Sequence, residues 1–189
     1  ALQQALGHEM PIVRWRAARA LGLLGASAEP AVPTLMQAVT DEDVFVRKDA
    51  VRALARIGPM GAPAALQALT GEDAFLHVDA VWGLGLVVND IDGALELLLQ
   101  TLSGADLELR MEAARALGNA GEAGVDPLLA ALDGAPPELR DIIIRSLGRI
   151  GTPARKAVPV LVNLWGSLGS SEEARMLIPT ALGHVLLPE

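Results

Sequence analysis

The chain of 189 residues contains no cysteine and no tyrosine. Without cysteine there is no disulfide, no thiolate nucleophile and no cysteine-ligated zinc, although any compartment remains compatible. Aromatic residues amount to 3%, three Trp and two Phe, so the core must be filled by aliphatic side chains and alanine. No uninterrupted apolar run reaches the roughly 18 residues that a membrane helix requires, so no membrane span is expected. Cations are also scarce. Fifteen Lys and Arg against 23 Asp and Glu leave a net charge of −8, which works against a surface devoted to phosphate backbones. His8, His77 and His184 are far apart, and neither a glycine-rich phosphate loop nor a Ser-His-Asp set can be assembled. No catalytic residue, metal or cofactor is expected.

What the chain does contain is one phrase, written repeatedly. VRWRAARALGLLG stands at 13–25, VRKDAVRALARIG at 46–58 and LRMEAARALGNAG at 109–121. With the basic residue of the phrase as anchor, the series runs Arg14, Arg47, His77, Arg110, Arg140, Arg175, at spacings of 33, 30, 33, 30 and 35. A leucine follows each anchor seven residues later: Leu21, Leu54, Leu84, Leu117, Leu147 and Leu182. Self-similarity at this period marks a solenoid, in which no repeat buries its apolar face alone and each must stack on its neighbours.

Every repeat holds two helical patterns. The second, the inner helix, opens after Asp43, Asp73, Asp106 or Ser171, or with Pro11 or Pro137 just inside, and stops at Gly25, Gly58, Gly121 and Gly151. The first, the outer helix, is shorter and covers 31–39, 62–69, 92–102, 125–132 and 157–165. At 100° per residue, the positions three, four, seven and ten after the anchor share one face, filled by Ala17, Ala18, Leu21 and Leu24 in the first repeat and Ile143, Ile144, Leu147 and Ile150 in the fifth. That face predicts the core. The anchor Arg lies in the middle of it and is expected to pair with a loop acid such as Asp41 or with free carbonyls of a neighbouring turn. Trp165, at the outer-helix position of Val39 and Leu69, is also expected in the core.

Phrases such as DVFVRKDAVRALARIG resemble the HEAT-repeat superfamily, in the short HEAT-like form of the phycobilisome (bilin) lyases. The resemblance covers nearly the whole chain. It implies an all-α, right-handed α-solenoid of about six helical hairpins, with repeats at 1–25 (partial), 26–58, 59–88, 89–121, 122–151 and 152–189 in a single domain. The third repeat departs from the pattern with His77 for Arg and Val88 for Gly. In the sixth, Pro179 falls inside the inner helix and predicts a kink or a short helix. At the N-terminus ALQQAL matches the end of an outer helix, and near the C-terminus Leu177, Ile178, Val185, Leu186 and Leu187 do not form a polar cap. Both ends are therefore expected to be covered by further repeats, another domain or self-association. With no signal-like segment, a cytoplasmic location is expected.

In solenoids of this family the inner helices line the concave surface. The side of each inner helix away from the core carries Trp15, Arg16 and Arg19, then Phe45, Lys48, Asp49 and Arg52, then Phe75, Asp79 and Trp82, then Met111, Glu112 and Arg115, then Asp141 and Arg145. Four of the five aromatic residues fall on this strip, and an apolar patch rimmed by charge is the composition of a partner site. The expected binding residues are Trp15, Arg19, Phe45, Arg52, Phe75, Trp82, Met111, Arg115 and Arg145, and helix pairs of Glu112 with Arg115 and Asp141 with Arg145 are expected beside them. The expected function is a non-catalytic scaffold that takes a protein or peptide on this strip. The resemblance offers a bilin-binding chaperone or lyase subunit as the alternative, and a nucleic-acid backbone is a second, disfavoured partner.

Overall fold

The computed structural model describes residues 1–167 and 172–187. The expected cap Ser171 lies outside them, and the expected anchor Arg175 belongs to a stretch whose side chains are not described. Among the described residues there are twelve α-helices, joined by turns and short 3-10 segments, and no strand. The chain divides into two compact halves, Ala1–Ala94 and Leu95–Glu189. The first holds α1 (Leu2–Ala5), α2 (Pro11–Leu23), α3 (Val32–Ala38), α4 (Val44–Ile57), α5 (Ala62–Thr70) and α6 (His77–Leu86). The second holds α7 (Ala94–Leu102), which starts at the boundary, then α8 (Leu107–Leu117), α9 (Val125–Leu132), α10 (Pro137–Ile150), α11 (Val158–Ser167) and α12 (Glu172–Leu186). Odd-numbered helices are the outer and even-numbered ones the inner members of successive hairpins. The fold is an all-α solenoid.

Local chemistry sets the helix limits. The Asp43 carboxylate accepts from the backbone N–H of Phe45 and Val46, Asp73 from Phe75 and Asp106 from Leu109, while Pro11 and Pro137 begin α2 and α10, where a missing N–H costs nothing. Gly58 and Gly151 end α4 and α10 with positive φ, a conformation that a side chain would resist. Inner helices then pack side by side, α2 and α6 against α4 in the first half, α8 and α12 against α10 in the second. Two glycines of the repeated Leu-Gly pair permit the close approach. A Cβ on Gly22 would stand 2.8 Å from the Cα of Ala53, and one on Gly148 would stand 3.0 Å from the Cα of Ala181. Ala17, Ala18, Leu21, Ile143, Ile144 and Leu147 are buried on the predicted face.

The anchor row holds the turns. Arg14 Nη1 donates to the carbonyls of His8 and Glu9 in the turn before its own helix, at 3.0 and 2.9 Å, while Nε and Nη2 both reach Asp41 at 2.8 Å in the corresponding turn of the next repeat. Arg47 repeats the arrangement, with Nη1 on the carbonyls of Asp41 and Glu42 and Nε on Asp73 at 2.8 Å. Planar, forked guanidinium suits this two-sided task. In the third repeat the ring of His77 meets the Gly71 carbonyl at 3.0 Å, keeping the contact to its own turn. Arg110 donates to the Leu102 carbonyl and Arg140 to that of Ala135. Burial pushes the Asp41 carboxyl up, but the hydrogen bond from Arg14, the Asp43 N–H and the charges of Arg14 and Arg47 outweigh it and hold the group below its ordinary value.

Three expectations are corrected. Leu24 is 52% exposed, because α2 ends at Leu23 and leaves it on the cap, whereas α4 runs on through the equivalent Ile57 and buries it. Trp165 is 49% exposed, since α11 is the last outer helix among the described residues. Pro179 does not shorten α12, which runs 15 residues through it, with the Thr180 hydroxyl donating to the Met176 carbonyl at 2.7 Å.

Replacing Arg47 by Ala orphans two backbone carbonyls and the Asp73 carboxylate, so a loss of about 1–3 kcal/mol is expected in urea unfolding. Arg47→Lys should recover only part of that loss, because one ammonium cannot occupy both sides of the fork. An unchanged midpoint for both variants would contradict the structural assignment of the anchor.

Candidate partner-binding surface

On α2 and α4 the residues facing away from the core enclose one cleft of about 500 Å³, lined by Trp15, Arg19, Phe45, Lys48, Asp49 and Arg52. Helical spacing explains the set. The positions one and five after the anchor in the first repeat, and two before and one, two and five after it in the second, point to the groove between neighbouring inner helices. Phe45 is 64% exposed, whereas Trp15 is half-buried and packs against the first-half core, with the Arg16 guanidinium 5.5 Å from its ring centre. Arg19 is exposed and makes no ion pair within 4 Å among the described residues.

Behind the cleft lies a buried carboxylate. Asp79, on α6, was expected on the open strip but is 2% exposed, and its Oδ1 receives Arg52 Nε at 2.5 Å. Its Oδ2 lies 3.5 Å from the Lys48 ammonium and has no hydrogen-bond partner. Glu112 is corrected in the same sense: it is buried on α8 and bound by Arg115 at 2.7 Å. Both acids stand two residues after an anchor; Asp79 there meets Lys48 and Arg52 of the neighbouring inner helix, and Glu112 meets Arg115 of its own. The pattern was present in the sequence as an acid two residues after one anchor and an Arg five residues after the preceding one. Arg52 and Asp79 obey it, and Arg19 and Asp49 form the equivalent pair one repeat earlier, left open.

The remaining expected residues are placed separately. Phe75 is 73% exposed in the 3-10 turn before α6, and Trp82, on α6, is half-buried beneath the Arg56 guanidinium, 5.2 Å from its ring centre. In the second half Met111 is half-buried and Arg115 and Arg145 are exposed. The pairing of Glu112 with Arg115 is present, and Asp141 and Arg145 make no ion pair among the described residues. His8 and Glu9 serve the anchor: their carbonyls receive Arg14, and His8 Nδ1 accepts from the Met10 N–H at 3.0 Å. Among the described residues no three His, Asp or Glu converge as metal ligands, and no helix is long and apolar enough to cross a membrane.

Burial raises the Asp49 carboxyl above its ordinary value, with nearby Asp79 adding to the effect and the charges of Arg52, Arg19 and Arg56 opposing it. A carboxyl raised in the folded state binds its proton more tightly there than in the unfolded chain. Its contribution to stability therefore falls as pH rises through the window between the ordinary Asp value and the raised one. Asp41, held low, acts in the opposite sense, and its contribution is lost as pH falls below the ordinary Asp value. Thermal unfolding of Asp49→Asn across the acidic range should show the first slope removed and the second retained. A profile parallel to that of the parent would contradict the environment assigned to Asp49.

Comparison with known proteins agrees with this architecture. The family model for HEAT repeats matches residues 1–75, and that for the PBS lyase HEAT-like repeat matches residues 109–134. No curated protein sequence matches the chain. Among solved structures, an engineered protein of the Northeast Structural Genomics Consortium is similar at 27% identity and a TM-score of 0.62, over 97% of this chain and 94% of that one. A designed armadillo repeat protein in complex with the peptide (KR)4 shares the fold at 19% identity and a TM-score of 0.63, over 97% and 98% of the two chains. The complex of CpcE and CpcF of phycocyanin lyase from Nostoc sp. PCC7120 shares it at 24% identity and a TM-score of 0.62, over 77% of this chain and 95% of that one. Residues 1–75 are thus HEAT repeats, and residues 109–134 carry a repeat of the PBS lyase HEAT-like form.

Proposed function

We propose that this chain is a non-catalytic binding scaffold that takes a protein or peptide on the inner-helix surface of its first half. The observation that carries the reading is the exposure of Phe45, which lines the cleft, and of Phe75, before the next inner helix, at 64% and 73%. In a chain with only two Phe, neither is used for the core. Exposed aromatic rings flanked by cations are the composition of interface hot spots, where a ring enters a partner's pocket and the charged rim excludes water. Trp15, Arg19, Arg52 and Trp82 extend the surface, with Trp15 and Trp82 fixed in place by packing and by the neighbouring guanidinium groups. Met111, Arg115 and Arg145 are proposed as binding residues of the second half. The armadillo and lyase structures support a helical-repeat fold, and at their identities the likeness is one of fold.

Phe45→Ala with Phe75→Ala discriminates binding from packing better than truncating Trp15, which contributes to the core. Because both rings are exposed, stability should stay within about 0.5 kcal/mol of the parent, while a partner recovered by affinity capture should lose about 2 kcal/mol or more of binding energy. Recovery of the same partners at the same affinity by parent and double variant would sink the reading.

A further inference from the structure

We infer that the cleft between α2 and α4 selects an acidic, extended peptide segment, in which a carboxylate is adjacent to an apolar side chain. The inference rests on the proposed scaffold function and deepens it. Three cations, Arg19, Lys48 and Arg52, line the cleft against one carboxylate, Asp49, and cations remain in excess when the buried Asp79 is counted. This excess sits in a chain whose net charge is −8, so it is a local feature and not a reflection of composition.

The cations are held unequally, and the difference shows where a ligand binds. Arg52 is fixed by Asp79, and Lys48 lies against the unpartnered Oδ2 of the same group, so the buried carboxylate aligns both from behind. Arg19 occupies the same repeat position as Arg52, but among the described residues neither its counterpart Asp49 nor any other acid forms an ion pair with it within 4 Å. A guanidinium in this setting is a planar, two-pronged donor, and the complementary group is a carboxylate. On either side Trp15 and Phe45 supply apolar surface for the neighbouring side chain of the segment. A single-stranded nucleic acid also combines anions with flat rings. Its regular line of phosphates, however, must extend beyond the cleft over a protein of net negative charge, whereas a peptide carboxylate need not.

The test compares octapeptides of alternating Asp and Leu, Lys and Leu, and Ser and Leu, each dye-labelled and titrated with the full chain in low salt. Oligothymidylate and biliverdin serve as further probes. The Asp peptide should bind at least about tenfold more tightly than the other two and weaken with added salt. Arg19→Ala should remove most of that margin, while Arg155→Ala, at an exposed cation of the second half with no part in the proposed surface, should leave it unchanged. Equal binding of the three peptides, or preference for the Lys peptide, with all affinities reduced by Phe45→Ala, overturns the acidic selectivity and preserves the scaffold reading. Binding of oligothymidylate or biliverdin at the cleft in place of every peptide, or no binding of any probe, overturns both.

Discussion

The structure depends on a guanidinium that binds two turns at once. The backbone carbonyls of the turn before an inner helix lie outside its hydrogen-bond ladder and need other donors, and a loop acid beside them cannot be buried unpaired. Arg14 and Arg47 satisfy both, each reaching carbonyls of its own turn and a carboxylate of the next repeat. Asp41 takes part twice, accepting Arg14 on its side chain and Arg47 on its carbonyl, so the turns are linked in series. Aliphatic burial supplies the bulk of cohesion in such a solenoid, and the anchor row sets the register in which it is delivered.

This arrangement was legible because it recurs. Anchor, leucine and stop glycine fixed the hairpins and the buried face, and the anchor's position within that face implied the pairing with loop acids seen at Asp41 and Asp73. Two features were hidden for a geometric reason. Position two after the anchor lies at the edge of the apolar face, where helical angle alone leaves a side chain between solvent and a neighbouring helix; Lys48 and Arg52 of that helix close over Asp79, and Arg115 of its own helix binds the buried Glu112. Likewise, Trp165 matches Val39 by periodicity, yet burial depends on a following neighbour, which no angle encodes.

The candidate site was legible in part. Trp15, Arg19, Phe45 and Arg52 were marked by their angle and do converge on one cleft, while Phe75 lies just before the next inner helix and Trp82 on it. What the sequence did not reveal is how electrostatics divides otherwise equivalent positions. The Arg52–Asp79 pair is closed and buried on its acidic side; the Arg19–Asp49 pair is open. Repetition therefore produces the solenoid, and small departures from repetition produce the open cleft.

The central claim is that an anchor ties consecutive turns, and amide hydrogen exchange of Arg47→Ala tests it most directly, because exchange reports local opening segment by segment. The account predicts faster exchange both in the turn around Asp41–Asp43 and in the turn around Gly71–Asp73 of the following repeat, with the middle of α4 still protected. Faster exchange confined to the first turn of α4 would contradict it.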